Sequence, residues 1–467
     1  MSEQVTLDST AMPRREGWVD ELRATFALAL PLVLAQVAQN ALTVIAVVML
    51  AWLGPAQLAG AALANAYLIP FLVFGNGLVG AVAPMVAQAR GARNIKAVRR
   101  IVRQGFWAAI IIGIVLVPIL WNIKPVFQLL GQDPGATDIA ERFMHVEMWL
   151  IFPAFGIMVL RSLLSVFNSA RAILVVTLGG ALFCALANYA LIFGNFGFPR
   201  LEVVGSAIAT VGTYMLMFVG MLAYTLTHER LRRFHILRRF WKPDWAHLRG
   251  VFRIGLPIGL TVLAEVGLFT AAAMLMGRLG TDEVAAHAVA LQCASLAFMV
   301  PMGIGMATTV RVGQAYGRGD REAIGKSGWT SFALGMTFMT ASCLLFLFGG
   351  TGIVSLFLNP ADPANANAIS LAISFLVIAG LFQLVDGAQV VSAHALRGLS
   401  DTKIPMVIAI VGYWFVGLPV AWLLGLQMGL RGVGVWIGLA VGLAVVAVVL
   451  VARFAMRERL GLLRALD

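Results

Sequence analysis

The chain has 467 residues, of which 60% are apolar and only 12% are charged. A soluble core cannot absorb that much apolar surface, and long unbroken apolar runs exclude an outer-membrane β-barrel. The formal net charge of +12 is spread over many short segments without an aromatic-interleaved patch, which argues against nucleic acid as a partner. The composition therefore predicts an all-α integral membrane protein.

Apolar runs of membrane length predict twelve transmembrane helices. In chain order they lie at 25–53, 59–90, 97–121, 142–167, 172–195, 203–227, 251–279, 284–316, 322–348, 367–395, 403–426 and 431–456. The positive-inside rule supports this number, because a cytoplasmic N-terminus places 29 of the 34 Lys and Arg residues in inner segments. Both termini are therefore expected in the cytoplasm, and the first helix is expected to direct insertion because residues 1–20 lack a signal-peptide core.

The two halves of the chain resemble each other. Residues 29–98 laid on 255–324 without a gap give 18 identities in 70 positions, among them Gln88 with Gln314. Six helices in each half have the same orientation, so an axis along the membrane normal should relate the halves, with a cavity between them. The predicted divisions are a cytoplasmic tail at 1–22, an N-lobe at 23–228, a basic cytoplasmic linker at 229–249, a C-lobe at 250–457 and a cytoplasmic tail at 458–467.

Glu265 lies near the middle of the seventh predicted helix, between Arg253 and Arg278. Each arm is roughly 18–20 Å long, which places Glu265 near the midplane of a hydrocarbon layer about 30 Å thick. A charge there costs on the order of 2.5–3.5 kcal/mol, so an acid at that depth is a functional candidate. Glu265 is predicted to exchange a proton or Na⁺ against a cationic substrate. The alternative is a neutral carboxyl group that is hydrogen-bonded to a neighbour.

Asp386 is a second intramembrane acid, in the tenth helix, with Gln383 and Gln389 three residues to either side. Two acids in one lobe suggest a shared cation site whose titrations are coupled. The predicted coupling ion is H⁺ or Na⁺. If it is Na⁺, Glu265 and Asp386 are the residues predicted to hold it, and no other metal ion is expected. No other cofactor is expected, since the three cysteines lie in apolar runs without metal-ligand spacing.

The first half offers polar residues without charge. Gln39 aligns with Glu265, and one polar face of the first helix carries Gln36, Gln39, Asn40 and Thr43. These side chains either line a substrate cavity or join helices through hydrogen bonds. Glu147 is placed near the outer interface and is interpreted as solvated, so the N-lobe is expected to lack a group that titrates at membrane depth.

Three further side chains in or near the membrane each have two possible roles. His287 and His394 are either packed, hydrogen-bonded residues or parts of a proton relay, and His287 is kept as a cavity candidate. Arg161 is expected to extend along its helix rather than to form a buried ion pair.

These residues resemble the multidrug and toxic compound extrusion (MATE) family, most closely its NorM-like bacterial branch. The resemblance covers about residues 23–457 and is strongest in GLPIGLTVLAEVGLF, in VAAHAVALQCASLAFMVPMGIGMATTVRVGQAYG at 284–317 and in FQLVDGAQVVSAHALRGLSDTKIP at 382–405. It implies two pseudo-symmetric six-helix bundles that export organic cations in exchange for H⁺ or Na⁺ by alternating access. Glu265 and Asp386 match the family's two cation-coupling acids of the second lobe.

Two positions depart from the family pattern. Relatives commonly carry an aspartate in the first span where this chain has Ala46, and some place a tyrosine where it has Phe382. The first departure removes the usual proton site of the N-lobe, and the second removes an oxygen that would help to hold Na⁺. Coupling is therefore expected to rest on the C-lobe, with H⁺ favoured over Na⁺.

The resemblance also implies a monomer in the bacterial inner membrane, with small organic cations and membrane lipids as its partners. The basic linker is expected to rest on anionic headgroups. One rival function is a flippase of a lipid-linked precursor, which would need a cavity rich in cations, and no Arg or Lys is expected at midplane depth in the N-lobe. A membrane enzyme would need paired His residues or a metal-ligand set, which the sequence lacks.

Overall fold

The structure is a computed structural model that describes residues 17–463 except 233 and 237–239. Within these residues, twelve helical segments are long and apolar enough to cross a membrane. The predicted number of spans is therefore confirmed, and the chain is an all-α, multi-pass membrane protein.

The first half has nine helices, eight of which build its six spans, and two pairs of these are continuous across a short break. They are α1 (Trp18–Ala51), α2 (Pro55–Val79) with α3 (Val82–Gly91), α4 (Ile95–Trp121), α5 (Ile123–Leu129), α6 (Pro134–Glu147) with α7 (Ile151–Val166), α8 (Ala170–Phe193) and α9 (Glu202–Thr227). The short α5 lies between spans. A one-turn helix, α10 (Glu229–Arg232), follows in the linker.

The second six spans use fewer breaks. They are α11 (Trp245–Leu279), α12 (Thr281–Arg318), α13 (Arg321–Val354), α14 (Ala366–Gly398), α15 (Lys403–Ile410) with α16 (Leu418–Trp422), and α17 (Arg431–Ala455). Seven residues of π-helix join α15 to α16, and five more extend α16 to Gln427, so these pieces make one span. The predicted lobe boundaries stay a prediction.

Polar caps begin several helices. Asn94, Asp133, Asp244 and Asp320 each accept a hydrogen bond from the backbone amide three residues later, at the first turns of α4, α6, α11 and α13. Such caps satisfy amides that have no partner within the helix. The cap at Asp133 matters most for function, because it starts the fourth span eight residues before the predicted 142.

Buried apolar side chains form two clusters. One is drawn mainly from α1–α9 and the other mainly from α11–α17. Each half therefore has a core of its own, as the sequence repeat predicts.

The two halves meet at the end where α1 begins and α12 ends, which the charge distribution predicts to be cytoplasmic. A Cβ atom added to Gly91 would clash with the carbonyl oxygen of Gln314, and one added to Gly317 would clash with that of Gln88. The sequence repeat equates Gly91 with Gly317 and Gln88 with Gln314, so a pseudo-twofold axis runs between α3 and α12. Only glycine allows the backbones to approach this closely.

The side chains of the same two glutamines reinforce the contact. Gln88 Nε2 donates to the carbonyl oxygen of Gly398 at 2.8 Å, and Gln314 Nε2 donates to that of Val166 at 3.0 Å. Gly398 ends α14 and Val166 ends α7, so each glutamine bonds the end of a helix in the other half. These bonds hold the predicted cytoplasmic ends of the two halves together.

A buried ion pair crosses the same interface. Glu21, in the first turn of α1, is 3% exposed and forms an ion pair with Arg311 of α12, whose Nε lies 2.9 Å from Glu21 Oε1. Ser327 of α13 donates to the same oxygen at 2.7 Å. We call Glu21, Arg311 and Ser327 the inter-lobe clasp. It closes the predicted cytoplasmic end between the first helix of one half and two helices of the other.

Candidate functional site

The two acids predicted to couple ions lie together in the second half. Asp386 of α14 is 5% exposed, and its Oδ1 atom has no hydrogen-bond partner among the described residues. Glu265 of α11 is half-buried and forms no hydrogen bond or ion pair that the structure describes. The two carboxyl groups lie within electrostatic range of each other. The two acids are therefore neighbours in the structure, and their role in ion coupling stays a prediction.

Packing of α11 positions Glu265. Gly255 and Gly259 bring this helix against the backbone of α2, at Leu78 and Phe74. Glu265 lies six residues beyond Gly259, or about 9 Å along the helix. The acid is therefore set just beyond the region where the two halves are in backbone contact.

Buried polar groups without partners surround the acids. Neither amide atom of Gln383 has a hydrogen-bond partner in the described residues, and the same is true of Gln389 Oε1 and Tyr413 Oη. The tyrosine, from the π-helical segment after α15, is fully buried and lies within electrostatic range of both acids. Buried polar groups are almost always hydrogen-bonded, so this set is suited to a polar or charged ligand. Tyr413 has no sequence motif around it, and the sequence analysis missed it.

Arg397 adds a basic group to the site. It ends the membrane part of α14 and lies within electrostatic range of Glu265. A small cavity of about 10 Å³ between α11, α14 and α17 is lined by Thr261, Gln389 and Arg397. That is space for about one water molecule. Glu265 therefore has a cationic neighbour from another helix that its own flanking sequence does not reveal.

An aromatic wall closes one side of the site. Phe382 is 2% exposed and packs edge-on against Trp436 at 5.9 Å and Phe269 at 6.1 Å between ring centroids. His287 packs against the same tryptophan at 5.5 Å, and neither of its ring nitrogens has a hydrogen-bond partner among the described residues. His287 is thus packed without a hydrogen-bond partner among the described residues, whereas His394 is hydrogen-bonded, with its Nδ1 2.9 Å from Thr309 Oγ1. A proton-relay role for either histidine stays a prediction.

Direct metal ligation by clustered side chains is not evident. In the described residues, no three His, Cys, Asp or Glu side chains lie close enough together to hold a metal ion. Hard cations prefer oxygen ligands. Na⁺ at Glu265 and Asp386 would therefore need the oxygens of Gln383, Gln389 or Tyr413 as well, and Phe382 supplies none.

The polar face of α1 is engaged in hydrogen bonds between helices. Gln39 Nε2 donates to Tyr214 Oη of α9 at 3.1 Å, and Gln36 accepts a hydrogen bond from Arg161 of α7. Asn40 is half-buried and Thr43 is exposed. Of the two roles predicted for this face, the structure shows interhelical hydrogen bonding for Gln36 and Gln39. Contact of this face with a substrate stays a prediction.

Glu147 corrects the expectation that the first half has no titrating group at depth. Because α6 begins at Pro134, Glu147 lies thirteen residues into the span, or about 20 Å from its start. It is 4% exposed, its Oε2 atom has no partner among the described residues, and it lies within electrostatic range of Tyr214. The solvated position predicted for Glu147 is wrong, because the predicted helix began eight residues too late.

Arg161 is also buried. It is 9% exposed, and its partner Gln36 is near the middle of α1. Arg161 is only five residues from Val166, where α7 ends, so the expectation of no Arg or Lys at midplane depth in the N-lobe stays a prediction. The prediction that Arg161 forms no buried ion pair holds in the contacts that the structure describes.

Comparison with known sequences decides the family. The profile of the MatE family matches residues 31–190 and 257–423, which is most of both halves. The chain belongs to the MatE family. It is 44% identical over 458 residues to a protein of Mesorhizobium japonicum named "Probable multidrug resistance protein NorM", covering 97% of this chain and 98% of that protein. A relative of the same name from Brucella suis is 45% identical over 439 residues, with 94% and 93% covered.

Solved structures support the MatE fold. The crystal structure of a eukaryotic MATE transporter superposes with a TM-score of 0.85 at 20% identity, covering 96% of this chain and 98% of that one. An outward-facing multidrug resistance MATE family transporter superposes with a TM-score of 0.83 at 19% identity, covering 98% and 99%. The MatE fold of two pseudo-symmetric six-helix bundles is thus confirmed.

Proposed function

We propose that this MatE protein is a secondary active antiporter that exports organic, mostly cationic compounds in exchange for H⁺ or Na⁺. The observation that carries the proposal is the pair of acids, Glu265 and Asp386, set among unpaired polar groups in the C-lobe. The names of the relatives, multidrug resistance proteins, support the substrate class. As such, the protein is a transporter and not an enzyme.

In an alternating-access mechanism, the contacts at the predicted cytoplasmic end and the two acids have distinct roles. The clasp and the paired glutamines hold the predicted cytoplasmic end closed, and breaking them would open a path to the cytoplasm. An ion biases such an equilibrium only by binding one state more tightly than the other. In the proposal, the charged acids favour an organic cation, and a proton or Na⁺ on the same acids displaces it.

We favour H⁺ over Na⁺ as the coupling ion. Phe382 offers no oxygen where some relatives have a tyrosine, and the remaining oxygens near the acids belong to amides and one phenol. A proton needs one carboxyl group, whereas Na⁺ needs several oxygens at once. The protein would act as a monomer in the bacterial inner membrane with both termini in the cytoplasm, among membrane lipids and with no nucleic-acid partner.

The flippase remains a second candidate because of Arg161. A buried cation that reaches Gln36 in the middle of α1 would suit the phosphate of a lipid-linked precursor. However, a single cation that is already bonded to Gln36 would bind a phosphate only weakly, and the acids of the C-lobe would repel an anion. Antiport of cations therefore accounts for more of the site.

The proposal is tested by reconstituting the purified protein in liposomes and measuring the efflux of a fluorescent organic cation from them. With a pH gradient imposed alone, we expect substrate movement well above that of protein-free liposomes, because proton binding displaces the cation. With a Na⁺ gradient alone, we expect a much smaller response. Movement under neither gradient would refute antiport, and movement under the Na⁺ gradient alone would reverse the choice of ion.

A further inference from the structure

A cavity at the predicted cytoplasmic end lies apart from the site of the two acids. It has a volume of about 590 Å³ and is lined by Arg99, Arg100 and Arg103 of α4 and by Lys242, Asp244 and Trp245, which lead into α11. We call it the rim cavity. Because α4 belongs to the first half and α11 to the second, the rim cavity joins both halves.

The rim cavity is strongly basic. Its four cationic side chains face one carboxylate, a balance of 4 − 1 = +3. Asp244 is already engaged, because it caps α11, lies 3.0 Å from His247 Nδ1 and lies 3.6 Å from Arg100. Partial burial would raise the pKa of Asp244, but its hydrogen bonds from His247 and the nearby Arg100 outweigh burial and hold that pKa below its ordinary value. The carboxylate is therefore charged, and the excess of three positive charges stands.

The cations line a cavity with a buried wall and an exposed edge, since Arg103 is buried whereas Arg100 and Lys242 are exposed. Arg103 is only 8% exposed, and Arg99 lies one turn before it on the same face of α4. One turn further, Trp107 donates from Nε1 to the carbonyl oxygen of Phe240 at 3.0 Å and stacks on its ring. This contact fixes the linker against α4 and places Lys242 beside the arginines. Charges that served only to orient the chain in the membrane would not need such a cavity.

The surroundings indicate that the ligand comes from the membrane. Trp241 and Trp245 are 82% and 70% exposed beside the cavity, and tryptophan is typical of the membrane–water interface. With 27 residues, α4 is about 40 Å long, so its first turns extend beyond a hydrocarbon layer of about 30 Å into the headgroups. Arginine guanidinium groups donate in a fork geometry that is suited to the oxygens of a phosphate.

We propose that the rim cavity binds the phosphate of an anionic phospholipid headgroup and bridges α4 of one half to the start of α11 in the other. The inference goes beyond the proposed transport, and its test measures binding alone. A free phosphate ion shares the same chemistry, so the experiment must separate the two sources.

The experiment is native mass spectrometry of the full chain in detergent with three probes: short-chain phosphatidylglycerol, phosphatidylcholine of the same chain length, and inorganic phosphate. We expect the anionic lipid to bind well ahead of the other two. The double variant Arg99→Gln with Lys242→Gln should weaken that binding by about thirtyfold. This factor corresponds to about 1 kcal/mol for each of the two cations that are removed. Lys242→Gln alone, which alters an exposed side chain of the linker, should weaken it by about fivefold to tenfold.

The matched control is the double variant Arg318→Gln with Lys403→Gln. It also removes one Arg and one Lys from the predicted cytoplasmic end, but both side chains are exposed and lie outside the rim cavity. Its lipid binding should equal that of the unaltered protein. An equal loss in the control pair would mean diffuse charge attraction and overturn the site. Equal binding of phosphatidylcholine would overturn the anionic class, and phosphate binding as tight as that of the lipid would overturn the membrane source.

Discussion

Replacing Glu265 by Gln, or Asp386 by Asn, should abolish ion-coupled efflux and leave the protein inserted in the membrane. Each change removes a carboxylate and keeps the shape of the side chain. The amide cannot take up a proton, so the ion then binds both states of the protein equally and shifts neither. We expect gradient-driven efflux to fall by at least about tenfold in each variant, toward the rate of empty liposomes.

The control is Glu202→Gln, the same chemical change at a half-buried acid that starts α9 and pairs with Arg200. It should transport at the normal rate. Size-exclusion chromatography should show equal amounts of folded protein for all variants. Normal coupled transport in either Glu265→Gln or Asp386→Asn would remove that acid from the mechanism.

Breaking the inter-lobe clasp should open the predicted cytoplasmic end. Glu21 is buried against Arg311 and Ser327, and removing one partner of a buried ion pair costs about 3–5 kcal/mol because the other charge is left unpaired. If that cost falls on the closed state alone, Glu21→Gln or Arg311→Gln should shift the equilibrium toward the open state by a factor of about 2 × 10² to 5 × 10³. Exchanging the two charges in one protein should restore part of the closed population.

Spin labels at Lys96 of α4 and Arg318 of α12, both exposed, would report the opening as a longer distance between the halves. The three native cysteines are buried and would first be replaced. Lys124→Gln, which breaks an exposed ion pair with Asp138 within the first half, is the matched control and should leave the distance unchanged. An unchanged distance in both clasp variants would show that the pair does not hold this end closed.

The sequence predicts the large features because they follow from single-chain patterns. Twelve spans follow from apolar runs and the distribution of Lys and Arg, and the repeat aligns Gln88 with Gln314, for which the structure then shows equivalent contacts. Glu265 and Asp386 stand out because a charge in an apolar run is costly. No such local signal exists for the clasp, since Glu21 and Arg311 are 290 residues apart and each looks like an ordinary residue near a membrane end.

Three residues were misplaced or not recognised from the sequence, each for a different physical reason. Glu147 was misplaced because the polar start of α6, from Pro134 onward, does not look like membrane sequence. Arg161 reaches Gln36 through a contact between helices that no pattern within α7 reveals. Tyr413 was overlooked because a phenol in an apolar run is ordinary, and only packing shows that its hydroxyl is buried beside two acids.

In the proposed mechanism, coupling rests on the acids of the C-lobe, and Glu147 offers the sharpest comparison because it is a buried acid of the other lobe. The measurement is the binding of a fluorescent organic cation in detergent, titrated against pH, for the unaltered protein, Glu265→Gln, Glu147→Gln and Gln39→Ala. If H⁺ couples, affinity should fall as the pH falls, since protons compete with the cation. We predict that Glu265→Gln flattens this dependence, that Glu147→Gln keeps it, and that Gln39→Ala weakens binding without changing its pH profile. A profile preserved in Glu265→Gln but flattened in Glu147→Gln or Gln39→Ala would contradict the account and move coupling to the N-lobe.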